Sequence, residues 1–213
     1  MNIRQINAGW RKFCIDELTP EPWRNGGGLT RTIATSAGHG ALIWRVSVAD
    51  IVQDGPFSVF PGIDRAALLV SGEGVSLHEA GLDQAGLQKR LQAGGEAAQF
   101  SGEAVLQATL DDGPVRLWNV MTRRGQACCT LHRVGNAAVE LDGAPWICLV
   151  HAGRYHLLVA GTEVCELDAG CGIIVDLAAP HLQLLPAGPD ASLICTRIAP
   201  APSASPLQAG GLG

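Results

Sequence analysis

Charge is scarce in this sequence: Asp, Glu, Lys and Arg together make up 16% of it, and Arg heavily outnumbers Lys. The formal net charge is −5, so the basic surface of a general nucleic-acid or anionic-membrane binder is missing. No stretch is long and apolar enough to span a bilayer. The first fourteen residues carry Arg4, Arg11 and Lys12 with no apolar run between them, unlike a signal peptide. The expectation is a cytoplasmic protein whose partners are neither nucleic acid nor membrane. Zinc-type cysteine spacing is absent too. Seven cysteines are present, an odd number. Cys128 and Cys129 are adjacent, and Cys148, Cys165, Cys171 and Cys195 lie in apolar runs where they read as small buried hydrophobes. No disulfide is expected in a reduced compartment. There is no His-x-His pair: His78 and His181 stand alone, and His151 and His156 fall on opposite faces of a strand. No metal, cofactor or catalytic triad is therefore expected.

What is present is apolar residue and glycine, 47% and 27 residues respectively. Short alternating runs at 41–48, 66–70, 75–78, 104–110 and 115–121 read as strands. Turn formers separate them: Gly72-Glu73-Gly74, Gly94-Gly95 and Asp112-Gly113-Pro114. Only residues 82–91 and a short N-terminal stretch read as helical. Many short strands at regular spacing predict an all-β sandwich or barrel. The second half repeats the first. Cys148 to Gly153 echoes Leu68 to Gly72, Leu167-Asp168-Ala169-Gly170 echoes Leu91-Gln92-Ala93-Gly94, and Gly188-Pro189 echoes Gly113-Pro114. The offset is nearly constant, which marks an internal duplication of a jelly-roll unit. The divisions expected are a barrel over 1–125 carrying the binding motifs, a second over 126–198, and a flexible Pro- and Gly-rich tail over 199–213.

Four segments can carry chemistry. In Pro22-Trp23-Arg24-Asn25-Gly26-Gly27-Gly28, three glycines let backbone approach a ligand and offer N–H groups to an oxyanion. Arg24 can clamp a carboxylate, Asn25 can donate and accept, and Trp23 can form a wall. The alternative is a plain glycine turn leading into a strand. In Trp44-Arg45-Val46-Ser47, Arg45 and Ser47 share a face that points either to water or into a pocket, where Arg45 would need an anion. Phe57 and Phe60 sit among turn formers, followed by Asp64-Arg65, which reads as a local ion pair or as part of a site. Asn119, Met121 and Arg123 share one face of an apolar strand, and an Asn there wants a partner.

Taken together these segments resemble the HutD/Ves family. The resemblance rests on Pro22 to Gly28 with Thr30, Trp44-Arg45 with Ser47 and Asp50, Asp54 to Ser58, Phe60-Pro61-Gly62 with Asp64-Arg65, and Asp112 to Pro114 with Asn119 to Arg124. Arg24 stands where the family usually has Lys, and Trp118 where Phe is usual. The resemblance implies a bacterial, bicupin-like fold of two cupin-like (RmlC-like jelly-roll) β-barrels. It also implies a role in moderating histidine utilisation by binding an intermediate such as N-formylglutamate or urocanate, whereas the Ves branch is described as stress- or cold-induced.

The leading expectation is thus a small-molecule carboxylate sensor. Its ligand residues are Trp23, Arg24, Asn25, Gly26, Arg45, Ser47, Phe57, Phe60, Asp64, Arg65 and Asn119. The rival is a metal-independent enzyme, for which Asp64 or His78 would be the acid or base. A third reading is a protein-interaction module. A homodimer enters only by analogy with other barrels of this type, and the sequence itself carries no interface signature.

Overall fold

The computed structural model describes residues 9–79, 88–143, 145–176 and 180–202. Within them the strands are β1 (Trp10–Cys14), β2 (Glu21–Pro22), β3 (Gly28–Gly38), β4 (Ala41–Ile51), β5 (Gly55–Pro56), β6 (Ile63–Ser71), β7 (Gly74–Glu79), β8 (Gln88–Gln92), β9 (Ala98–Ser101), β10 (Leu106–Leu110) and β11 (Val115–Arg123). They continue as β12 (Ala127–Val134), β13 (Val139–Leu141), β14 (Trp146–Ala152), β15 (Arg154–Val159), β16 (Thr162–Asp168), β17 (Cys171–Val175), β18 (Leu182–Pro186) and β19 (Ser192–Pro200). A single 3-10 turn at Ile15–Glu17 is the only helical element among the described residues. No helix of the described residues is long and apolar enough to cross a membrane.

Hydrogen bonding joins these strands into four sheets. The orders are β2-β3-β4-β11-β6-β9, β5-β10-β7-β8, β1-β17-β14-β19-β12 and β13-β18-β15-β16. Counted from β4, the first half runs first-eighth-third-sixth in one sheet and second-seventh-fourth-fifth in the other. Counted from β12, the second half runs the same way. That is the jelly-roll order, and its recurrence is the duplication in three dimensions. The ladders leave all four sheets open, so neither half is hydrogen-bonded into the closed barrel expected from the sequence.

Alternation along the strands stacks the sheets in layers. On β11, Val115 and Leu117 face the small N-terminal sheet, in a core with Ala67, Leu69, Val75 and Leu77. Trp118 and Val120 face the opposite way, into a core with Val46, Leu68, Ile147, Leu149 and Ile194 that lies between the two large sheets. A third core, with Tyr155, Leu157, Ile173 and Leu193, fills the C-terminal half.

Several expectations are corrected. Residues 10–14 form a strand in the C-terminal sheet, with Cys14 opposite Cys171, rather than part of the N-terminal unit. These two cysteines are joined in a disulfide, although they lie 157 residues apart in sequence. Cys148 and Cys195, also opposite each other, remain buried free thiols. Of the stretch expected to be helical, residues 88–91 belong to β8, and 82–87 lie outside the described residues. Ala199 and Pro200 belong to β19 rather than to a tail, and residues 203–213 lie outside the described residues.

Candidate functional site

A cavity of about 440 Å³ opens over the face of the large N-terminal sheet that looks toward the small sheet. One rung of that sheet crosses its floor: Phe100 lies opposite Arg65, Arg65 opposite Met121, and Met121 opposite Arg45. Arg45 and Arg65 are therefore two strands apart, roughly 10 Å between backbones, with the thioether between them. On the neighbouring rung Asn119 lies between Ala67 and Ser47.

Arg65 is 8% exposed. Its guanidinium lies over three phenyl rings, with Cζ 5.1 Å from the centre of Phe57, 5.5 Å from Phe60 and 5.0 Å from Phe100. Nη2 donates to Asn119 Oδ1 at 3.1 Å, and Nη1 reaches the Ser58 carbonyl at 3.5 Å. Burial, with the charge on Arg45, lowers its pKa to about 10. Arg45 Nη2 lies 3.1 Å from the Met121 sulfur, its hydrogen-bond partner in place of a carboxylate. The Nε atoms of both arginines and the Ser47 hydroxyl are buried without a hydrogen-bond partner. By contrast Arg31 and Arg116 both bind Asp50, Arg90 binds Asp111, Arg124 binds Asp64 and Glu103, and Arg154 binds Glu166 and Asp168.

The turn joining β2 to β3 closes one side. The Trp23 N–H donates to the Gly28 carbonyl at 2.9 Å and the Gly26 N–H to the Trp23 carbonyl at 3.1 Å. Gly26 takes a φ of +71°, which a side chain would strain. Gly28 is required for space: a Cβ there would lie 2.2 Å from the Asp50 carbonyl oxygen. Trp23 is fixed by its Nε1, which donates to Thr30 Oγ1 at 2.8 Å, and Asn25 by its Oδ1, which accepts from the Gly27 N–H at 3.0 Å. The amides of Gly26 and Gly27 are thus used inside the turn, and the expected backbone oxyanion cradle is not formed there.

Of the residues expected from sequence, Trp23, Arg24, Asn25, Arg45, Phe57, Phe60, Arg65 and Asn119 line the cavity. Three do not. Gly26 shapes the turn, and Ser47 is buried with no exposed surface beside Asn119. Asp64 is on the opposite face from Arg65, as adjacent strand residues must be. Its carboxylate pairs with Arg124 at 2.7 Å, so the Asp64–Arg65 ion pair is not made. His78 is on β7 in the small sheet, opposite Gln107, and does not line the cavity. Met121, seen in sequence only as a face-mate of Asn119, lines it, as do Ser58, Ala49 and Leu117. Phe100 was not foreseen, because only the β6–β9 ladder brings it to Arg65. No cluster of three His, Cys, Asp or Glu residues suited to a metal occurs among the described residues.

Relatives are recognisable over most of the chain. A Protein Ves from Citrobacter koseri is 36% identical over 164 residues, 74% of this chain and 80% of its own length. An uncharacterised protein of the hutC 3′ region of Pseudomonas putida is 35% identical over 149 residues, 68% of this chain and 76% of its own. A conserved protein of unknown function from Pseudomonas aeruginosa has the same fold at 25% identity and a TM-score of 0.75, covering 89% of this chain and 98% of its own. HutD from Pseudomonas fluorescens, solved in a formate condition, superposes with a TM-score of 0.73 at 22% identity, covering 90% and 98%. A cupin 2 conserved barrel protein from Leptotrichia buccalis follows at 0.58 and 7%, covering 89% and 96%, a likeness of fold alone. With the HutD pattern matched across residues 16–191, the chain belongs to the HutD family.

Proposed function

We propose that this protein binds a small carboxylate in the cavity between Arg45 and Arg65, and moderates histidine utilisation by sensing an intermediate such as N-formylglutamate or urocanate. On this reading each half is one cupin-like barrel of a bicupin, and the ligand belongs to the N-terminal one. The observation that carries it is that Arg45 and Arg65, with Arg24, face one cavity whose lining includes no carboxylate among the described residues. Holding an uncompensated guanidinium at low exposure costs several kcal/mol, a cost that a bound anion offsets. Apolar walls from Trp23, Phe57, Phe60 and Leu117 suit the carbon skeleton of such a ligand.

Binding is favoured over turnover because, among the described residues, the lining side chains include no Asp, Glu, His or Cys to act as general acid or base. The hut-region relative from Pseudomonas putida supports the link to histidine utilisation. The test is a calorimetric titration of chelator-treated protein with formylglutamate, urocanate, histidine and formate. A saturable signal for formylglutamate or urocanate is expected, weakened at least about tenfold in Arg45→Ala while the melting temperature is kept. Undiminished affinity in a folded Arg45→Ala protein, or no binding by any of the four, contradicts the reading.

A further inference from the structure

We infer that Met121 is a site of oxidation by hydrogen peroxide, and that its sulfoxide oxygen becomes the hydrogen-bond partner that the flanking arginines lack. The modification stands on geometry alone, whereas its effect on anion binding rests on the carboxylate reading above.

The chain has two methionines, Met1 and Met121. Oxidation normally harms a buried methionine, because a polar S=O replaces an apolar sulfur among apolar neighbours. The surroundings of Met121 are the reverse of that. It lies between Arg65 and Arg45 on one rung of the large sheet. Its sulfur is 3.1 Å from Arg45 Nη2, and a thioether is a weak acceptor for a guanidinium. The Nε atoms of both arginines are buried without a partner, and the cavity lining holds no carboxylate among the described residues. A sulfoxide oxygen here would accept charge-assisted hydrogen bonds that the sulfur cannot match.

Access is through the cavity. Met121 is 2% exposed, but it lines a space of about 440 Å³, ample for peroxide, which is little larger than water. The sulfur has two lone pairs, and the contact with Arg45 occupies one. The other attacks one peroxide oxygen, and the O–O bond breaks. The departing hydroxide takes the proton from the transferred oxygen and leaves as water. Sulfur is thereby oxidised by two electrons and the peroxide reduced. Arg45 keeps its protons and stabilises the negative charge that builds on the leaving oxygen. Once formed, the S=O competes with an anion from solution for the same donors.

The experiment treats the full chain and Met121→Leu, which conserves core volume, with the same excess of hydrogen peroxide. The free cysteines are common to both, so the difference between them reports Met121. Peptide mass spectrometry should find one added oxygen on Met121 once N-acetylmethionine amide in the same solution is converted. Treatment should raise the melting temperature of the wild type by about 2–4 °C over the change seen in Met121→Leu. It should also lower the calorimetric affinity for N-acetylglutamate at least about tenfold. Met121→Gln puts an amide oxygen in the same place without peroxide, and should melt above Met121→Leu. Met121 left unmodified, or a treated wild type that gains no stability over treated Met121→Leu, overturns the inference. Unchanged affinity for N-acetylglutamate in the oxidised protein overturns it too, because the arginines would then be free. If the probe binds neither the oxidised nor the untreated protein, the carboxylate reading falls, and the mass and melting results still decide the modification.

Discussion

Arg65 holds its charge among the rings of Phe57, Phe60 and Phe100 at 8% exposure, with one amide oxygen and a long carbonyl contact for company. Cation–π contacts recover part of the lost hydration, though not all of it, in keeping with a pKa lowered to about 10 by burial and by the charge on Arg45. Below that pH the folded protein carries the full penalty. As pH climbs through about 10 toward arginine's ordinary range, the unfolded chain holds the proton more firmly, so this residue's contribution to stability rises with pH. Arg65→Met should therefore raise the unfolding free energy of the ligand-free protein, by about 1–3 kcal/mol at neutral pH, while ending carboxylate binding. Denaturant unfolding checks the first and calorimetry the second, and a less stable variant would show that Arg65 is structural. At this scale strand parity was legible, setting Arg45 with Ser47 and Asn119 with Met121 on shared faces, but whether the Arg45 face looked to water or into a pocket was not. The sequence misled at Asp64, where nearness along the chain suggested a pair that parity forbids.

The element that shapes the mouth of the cavity is the turn from Trp23 to Gly28. Its geometry follows from two glycines with different tasks, positive φ at Gly26 and close packing against Asp50 at Gly28. Asp50 is itself held in place. Burial pushes its carboxyl up, but hydrogen bonds from Arg116 and Arg31 bring it below its ordinary value. The backbone at Asp50 therefore has little room to yield. Gly28→Ala should cost about 1–3 kcal/mol of stability. It should also weaken carboxylate binding, because Trp23 and Asn25 are carried by the same turn. Unchanged unfolding and unchanged affinity would show that the strand yields without consequence. The glycine run was conspicuous in the sequence, but its use was not. Three glycines are equally consistent with N–H groups pointing at a ligand and with N–H groups used up inside the turn, as here.

The whole molecule is a stack in which the large sheets of the two halves share a core. Trp118, fully buried, donates through Nε1 to Thr196 Oγ1 at 2.8 Å, and so ties β11 to β19 across that core. β1 crosses to the C-terminal sheet, where the disulfide to Cys171 fastens it. The halves should accordingly unfold as one unit. Trp118→Phe leaves the Thr196 hydroxyl buried and unpaired, and should cost about 1–3 kcal/mol with a single transition retained in calorimetry. Two separate transitions in the wild-type protein would contradict the shared core. The duplication was readable in sequence because equivalent hairpins need glycine at equivalent places, as Gly72 and Gly153 show with their positive φ. The path of β1 was not, since the partner of a five-residue strand is chosen more than 150 residues away. Nor was the strand at Gln88–Gln92, whose state is set by pairing with β7.

The claim that Arg45 and Arg65 together hold a carboxylate is tested most directly by following the side-chain Nε–H signals of arginine by NMR during titration with N-acetylglutamate. The account predicts saturable shifts at Arg45 and Arg65, whose Nε atoms have no partner in the free protein, while Arg116, committed to Asp50, stays in place. Saturable binding that leaves both cavity arginines unmoved, or no saturable binding at all, would contradict it.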